Sequence, residues 1–435
     1  MRWFMKRLLP LLFAVFSVLT LQAQDSLVLS PQPADTIAAA VTPQEVLADS
    51  VVAPAVSLPS AALDSVVMST ADEYPRISLL TCSPGVEIYE QYGHTAIRYE
   101  DPSKGLDVVF NYGLFSFEAP HFIWRFCLGK TDYIVGASEY AFFEREYLDR
   151  GSYITSQVLD LTPGEARRFG QLITENCLPK NRTYRYNFLY KNCSTMARDI
   201  LYRSLGTPLS FAPEGESVTF RQLLHQHNAS YPWCSFGVDL VLGAEVDRPI
   251  GHDLQEFAPA CLMGTFASAT RNGASFVKST GKIGPVHPFP FTFTFPLTPM
   301  QLMILLLLLT AVVCTYELLK HCRVWGYDVF LYGVQGVAGV VIAFLFFFSG
   351  HPAVDSNALV VLFNPLAFVL LPFILRQTRR SRTHWALWAE LALIVGLVVT
   401  VACVGQEVPL AAWVFVAALL LRTGHHLLKS YVKKL

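Results

Sequence analysis

From Pro299 onward the chain is a succession of long apolar stretches, near residues 300–319, 329–348, 358–375, 385–404 and 408–421, broken by short polar loops. Crossing the hydrocarbon of a bilayer takes about 20 apolar residues, so four stretches are long enough to span and the fifth is short. Between Tyr74 and Lys282 the pattern changes to short runs rich in β-branched and aromatic residues, alternating with helical ones. Arg76 to Cys82, His94 to Glu100, Val108 to Tyr112, Thr131 to Val135 and Tyr153 to Leu161 read as strands. Pro120 to Cys127 and Tyr140 to Leu148 read as helices. A stronger helix starts at Thr162-Pro163-Gly164-Glu165, where an N-cap, a Pro at the first position and a Glu three residues on form a capping box. It should run to about Asn176. Another is expected from Asn192 to Leu205, ending at Gly206 as a left-handed stop. The expectation is one α+β domain over residues 75–282, followed by an all-α transmembrane bundle of about five helices over 299–421.

The segments before and between these regions have their own signatures. Arg2, Lys6 and Arg7, then Leu8 to Leu21, then Gln22-Ala23-Gln24 have the layout of a secretory signal peptide over residues 1–23. A retained anchor helix is the alternative. No Cys follows the apolar stretch directly, so the chain is not expected to be a lipoprotein itself. Residues 24–74 lack the apolar and aromatic content to bury a core and read as a disordered linker. Pro285, Pro288, Pro290 and Pro296 make residues 283–298 a stiff connection to the first span. Basic residues fix the orientation. Lys320, His321 and Arg323 follow the first span, Arg376, Arg379, Arg380 and Arg382 follow the third, and Arg422, Lys429, Lys433 and Lys434 lie in a basic tail over 422–435. The loops around His351 to Asn357 and Gly405 to Val408 contain no Lys or Arg. Positive charge stays cytoplasmic, so the 75–282 domain is expected outside.

Composition supports this division. Of 435 residues, 52% are apolar and 15% charged, against roughly 25% charged in soluble domains. A net charge of −1 argues against a nucleic-acid partner, which would require a basic face.

Chemistry is sparse in the usual motifs. The domain holds Cys82, Cys127, Cys177, Cys193, Cys234 and Cys261, with no CxxC and no Cys/His ligand set, so no metal and no cofactor is expected. HExxH, GxSxG and Walker sequences are absent as well. In an exported domain some of these thiols could pair as disulfides. Cys193 stands apart because Asn192 is a good N-cap, which puts the thiol in the first helical turn. There the unsatisfied N–H groups and the helix dipole favour a thiolate, the form able to attack an ester or amide carbonyl. A half-buried structural Cys is the competing reading. His94 opens an alternating strand, sharing a face with Ala96 and Arg98, and could accept and return the thiol's proton. A hydrogen-bonded edge histidine would look the same in sequence.

Together these residues resemble a known family. A strand His followed by an Asn-Cys at a helix N-terminus resembles the permuted papain-like cysteine families, including the lecithin:retinol acyltransferase group. The longer set is more specific: Tyr92-Gly93-His94-Thr95-Ala96-Ile97-Arg98, Asn111-Tyr112-Gly113, Tyr186-Asn187-Phe188 and Asn192-Cys193-Ser194-Thr195. It is similar to the N-terminal periplasmic domain of the Lnb family of lipoprotein intramolecular transacylases. Trp233, Phe236-Gly237-Val238-Asp239 and Leu242-Gly243 extend the likeness toward the form found in bacteria of the Bacteroides group. The resemblance implies a permuted papain-like domain acting on diacylglyceryl-cysteine lipoproteins beside membrane lipid. Cys193 would take an O-acyl chain as a thioester and pass it to the lipoprotein's own α-amine, with His94 as acid/base. Asn111 is the candidate third group, with turn or core hydrogen bonding as its alternative. Tyr92, Arg98, Tyr112, Asn192 and His351 are candidate substrate contacts, each also readable as packing or salt-bridge residues. Two other functions fit the sequence: an exported cysteine hydrolase acting on peptidoglycan peptides or phospholipid, and a non-enzymatic envelope sensor or assembly protein.

Overall fold

A computed structural model describes residues 74–432 except 86, 88, 212–216, 286–294 and 381–383. The expected signal peptide, all of the linker but Tyr74, the middle of the Pro-rich connection, Arg382 and the Lys433–Lys434 end of the tail lie outside the described residues.

The extramembrane part is built on a seven-stranded antiparallel sheet. Its main strands are β1 (Arg76–Cys82), β2 (His94–Asp101), β3 (Leu106–Leu114), β4 (Asp132–Glu139), β5 (Ile154–Leu159), β6 (Thr183–Arg185) and β7 (Val277–Ile283), in the order β7-β5-β1-β2-β3-β4-β6. Successive side chains point to opposite faces, and both faces are covered. Ile77, Leu79, Ile97, Tyr99, Phe110 and Tyr112 meet the Pro163–Cys177, Cys193–Ser204 and Pro259–Ser268 helices. Leu80, Cys82, Ala96 and Val109 meet Tyr140, Phe143 and Tyr147 of the Tyr140–Asp149 helix. At about 25 cal/mol per Å² of apolar area, this two-sided burial is the dominant stabilisation of the domain.

The capping box at Thr162 forms as the sequence predicts: Thr162 Oγ1 accepts from the Glu165 N–H and Glu165 Oε2 accepts from the Thr162 N–H. The expected left-handed stop at Gly206 does not form. The helix ends at Leu205 in extended conformation (φ −71°, ψ 138°), and the Gly206 N–H donates to Glu165 Oε1 at 2.8 Å. A tertiary acceptor replaces the local turn.

Among the described residues, five helices are long and apolar enough to cross a membrane: Pro299–Leu319, Trp325–Phe348, a segment over Ala358–Arg379, Trp385–Val404 and Leu410–Ser430. The fifth corrects the expectation of a short span followed by a basic tail from residue 422. Arg422 is fully buried within the helix, 2.6 Å from Asp328 and 2.8 Å from Glu317, with His425 and His426 bonded to the same two carboxylates. Buried charges persist where they are mutually paired, so partners about a hundred residues earlier turn a polar tail into a helix. Glu390 is likewise paired across helices, accepting from Gln335 Nε2 at 2.9 Å.

The domain joins the outer ends of these helices through backbone contacts. Gly243 N–H donates to Ala353 O (2.7 Å), Asn357 Nδ2 donates to Leu240 O (2.8 Å), and Gln406 Nε2 donates to Leu242 O (3.1 Å). A Cβ at Gly243 would stand 2.6 Å from Asn357 N and Ser356 C, so only glycine allows this approach. Trp233 Nε1 donates to Leu297 O at 2.8 Å, tying the domain to the entry of the first span.

Candidate active site

The local sequence delivers Cys193 to a helix N-terminus. Asn187 Oδ1 accepts from the Leu189 and Tyr190 N–H groups, and Asn187 and Lys191 exchange backbone bonds, closing a tight turn. Asn192 then caps the helix: its Oδ1 accepts from the Ser194 N–H (2.9 Å) and the Thr195 N–H (3.0 Å). Its Nδ2 donates to Phe188 O and Phe257 O, both at 2.8 Å. Cys193 is therefore the first helical residue, at the positive end of the dipole.

The sheet supplies the partners. His94 opens β2, and Asn111 lies on β3, which pairs with β2 from Ala96↔Asn111 onward. The side chains of His94 and Asn111 share the face that carries Ala96. His94 Nε2 is hydrogen bonded to Asn111 Oδ1, so Nε2 carries the proton and Nδ1 is left for the thiol. Cys193 and His94 meet beside Gly113, close enough for each to favour the charged form of the other. Ser194 Oγ and Thr95 Oγ1, 2.8 Å apart and fully buried, pin the helix start to β2. The Thr95 N–H favours the thiolate form of Cys193. On the other side the Tyr147 ring stacks beside His94 with centroids 6.2 Å apart, and Arg150 lies 3.8 Å over Tyr147 while pairing with Glu90.

The three side chains of Cys193, His94 and Tyr184 converge on Gly113. A Cβ there would sit 3.7 Å from Cys193 Cβ, 4.0 Å from His94 Cε1 and 4.0 Å from Tyr184 Oη. Gly113 has φ +91° and marks a register shift between β3 and β4, a conformation that other residues adopt only with strain. The Tyr184 hydroxyl is buried beside this backbone without a well-formed hydrogen bond.

Electrostatics move both groups toward their charged forms. Burial works against the Cys193 thiolate, but the charge and hydrogen bond of His94, the Thr95 N–H and the Ser194 hydroxyl outweigh it and lower the thiol's pKa below its usual value. Burial also opposes the His94 imidazolium, yet the Cys193 charge and hydrogen bond and the Asn111 hydrogen bond raise its pKa. Each group thus stabilises the charged form of the other. Cys82, the register partner of His94 on β1, goes the opposite way, its pKa pushed far up by burial. All six cysteines of the domain are free thiols, and only Cys193 has its pKa lowered.

The remaining sequence candidates separate from this centre. Asn192 is a scaffold residue whose amide oxygen and nitrogen are fully occupied, so no substrate contact is left to it. Tyr112 is buried in the core, accepting from Asn176 Nδ2 at 2.6 Å. Arg98 is held by Asp107 in a two-pronged ion pair (2.7 Å for both bonds) and lies 3.6 Å over the Tyr140 ring. Tyr92 accepts from Asn228 Nδ2 (2.8 Å) and packs edge-on against Phe188. His351 Nε2 donates to Phe126 O at 2.9 Å, so it fastens the outer loop of the bundle to the domain. Sequence reasoning missed Tyr184 and Tyr147 because only the sheet and the Tyr140–Asp149 helix bring them to His94 and Cys193. Among the described residues, the group with metal-ligand spacing is Glu317, His425 and His426, where Arg422 and Lys429 already neutralise Glu317.

An α+β domain presenting a thiol, an imidazole and an amide in series, fixed to the outer ends of five apolar helices, defines a multi-pass membrane protein with a candidate cysteine active site. The chain matches the model of the Lnb N-terminal periplasmic domain over residues 68–226 and that of the Lnb transmembrane domain over residues 291–434, together more than half its length. It belongs to the Lnb family, a family of lipoprotein-modifying enzymes, and the domain matched over residues 68–226 is periplasmic. Neither the curated proteins nor the solved structures contain a match to it.

Proposed function

We propose that this chain is an acyltransferase of the cytoplasmic membrane that moves an O-acyl chain of a diacylglyceryl-cysteine lipoprotein onto that lipoprotein's own α-amine. The Cys193 thiolate attacks the ester carbonyl carbon, forming a C–S bond. As the tetrahedral intermediate collapses, the ester C–O bond breaks and the His94 imidazolium gives its proton to the departing glyceryl oxygen. The α-amine then attacks the thioester, His94 takes the amine proton, and the C–S bond breaks to return the thiolate. No oxidant, reductant or cofactor enters the balance.

Asn111 positions the imidazole by fixing which nitrogen faces the thiol. The Tyr184 O–H and the free N–H of Cys193 at the helix N-terminus are the donors assigned to the developing oxyanion. Thiol on a helix start, imidazole on one strand and amide on the next is also the arrangement that supports a permuted papain-like relationship. One observation carries the reading: of the domain's six cysteines, the one at a helix N-terminus meets a histidine that an amide orients.

Mass spectrometry of lipoprotein N-termini, from cells whose chromosomal copy is Cys193→Ala, tests it. N-acylated forms should disappear and free-amine diacyl forms accumulate. An unchanged acylation pattern would contradict the proposal.

A further inference from the structure

One edge of the periplasmic domain carries large apolar side chains that the fold leaves uncovered. The segment from Phe115 ends in the short helix Phe122–Cys127, where Ile123 is 56% and Trp124 55% exposed, and Phe117 beside it is 50% exposed. Large apolar groups clustered in this way are unusual on a surface that meets only water. The one cation of the helix, Arg125, turns to the domain, donating to Lys130 O (3.1 Å) and Asp132 (3.4 Å).

The place of this helix identifies what covers it. The Gly350 N–H donates to Leu128 O (3.0 Å) and His351 donates to Phe126 O, both immediately beyond the outer end of the Trp325–Phe348 span. The Trp124 ring lies 4.8 Å from the ring of Phe344, four residues inside that end. At 1.5 Å per residue this is about 6 Å below the end of the helix. On the same span Phe347 and Phe348 are 68% and 65% exposed, as residues facing lipid are. The exposed face of the short helix therefore continues a lipid-facing surface.

A row of rings runs inward from it. Phe122 stacks on Phe115 (5.2 Å), Phe115 on Tyr133 (4.8 Å) and Tyr133 on Tyr186 (4.0 Å), and Tyr133 pairs in register with Tyr184, whose hydroxyl meets Cys193 at Gly113. We infer that the Phe115–Cys127 segment is sunk into the outer leaflet and that the aromatic row behind it is the apolar slide along which an acyl ester leaves the bilayer for Cys193. The insertion stands by itself; the slide rests on Cys193 being the acyl acceptor proposed above.

The test uses the full chain in nanodiscs of phosphatidylethanolamine and phosphatidylglycerol, with a benzophenone amino acid at one position. Replacing Ile123 should give phospholipid adducts on illumination, as replacing Phe347 does. Replacing Phe142, equally exposed but on the helix packed against β3 and β4, should not. Absence of adducts at 123, or equal yields at 123 and 142, would overturn the insertion. For the slide, Trp124→Glu should slow acyl transfer from vesicle-embedded lipopeptide by about tenfold or more. Its reaction with a water-soluble short-chain ester should be unchanged, and Trp124→Leu should restore the vesicle rate. Equal loss on both substrates, or no loss on either, would overturn the slide. Lipid adducts at 123 in a protein whose Cys193→Ala form stays active would leave the insertion intact and remove only the nucleophile.

Discussion

Two clusters of titratable side chains are enclosed in this molecule, and they answer the cost of burial in opposite ways. In the bundle, Glu317 and Asp328 are matched by Arg422, Lys429, His425 and His426, each within ion-pair distance. In the periplasmic domain, Cys193 and His94 have chiefly each other, with Asn111 to orient the ring and Tyr184 left with a loosely held hydroxyl. The first arrangement cancels charge and leaves no group free to react. The second keeps one proton movable between two groups beside open coordination for an oxyanion, which is what nucleophilic catalysis requires. Perturbed pKa values alone would not tell the two apart; partner count does.

That contrast can be broken directly. Cys193→Ala should lower acyl transfer by a factor on the order of 10⁴ or more while leaving the melting temperature in detergent nearly unchanged. Arg422→Met should do the reverse, costing about 3–5 kcal/mol of stability because two buried carboxylates lose their partner. It should spare the turnover of whatever fraction stays folded. If Cys193→Ala unfolds the protein and Arg422→Met does not, the roles assigned to the two clusters are exchanged.

Smaller effects sharpen the site. Tyr184→Phe removes one oxyanion donor and should cut kcat by about 10² with little change in KM; a change confined to KM would assign Tyr184 to binding instead. Asn111→Ala should cost roughly tenfold, as for a hydrogen bond to a charged group. It also carries a signature in pH. The proposed mechanism reacts as a thiolate–imidazolium pair, which requires Cys193 deprotonated and His94 protonated, so kcat/KM should be bell-shaped with Cys193 on the acid limb. The Asn111 hydrogen bond helps raise the His94 pKa, so its loss should move the alkaline limb to lower pH. An unmoved limb would make Asn111 a packing residue.

Much of this was legible in the sequence where the signal is local. Strand alternation placed His94 and Ala96 on one face, and the Asn192 and Thr162 caps fixed two helix starts to the residue, because capping acts within one turn. Four of the spans announced themselves by length. What the sequence could not disclose depends on partners far along the chain. Arg422 reads as the start of a tail until Glu317 and Asp328 are beside it, and Arg98, Tyr112 and His351 read as open contacts until Asp107, Asn176 and Phe126 occupy them. Gly206 reads as a helix stop, yet a side chain 41 residues earlier takes its N–H. Tyr184 gave no signal, since a tyrosine in a strand is ordinary until its hydroxyl faces a thiol across a glycine.

The most direct measurement is intact-protein mass spectrometry after incubation with a diacylated lipopeptide whose α-amine is blocked by acetylation. The thioester then has no amine to resolve it. The expected result is a gain of one acyl chain on Cys193, released by neutral hydroxylamine and absent from Cys193→Ala. Rapid turnover of the unblocked lipopeptide with no acyl adduct on Cys193 from the blocked one, or an adduct that survives Cys193→Ala, would contradict the covalent mechanism at its centre.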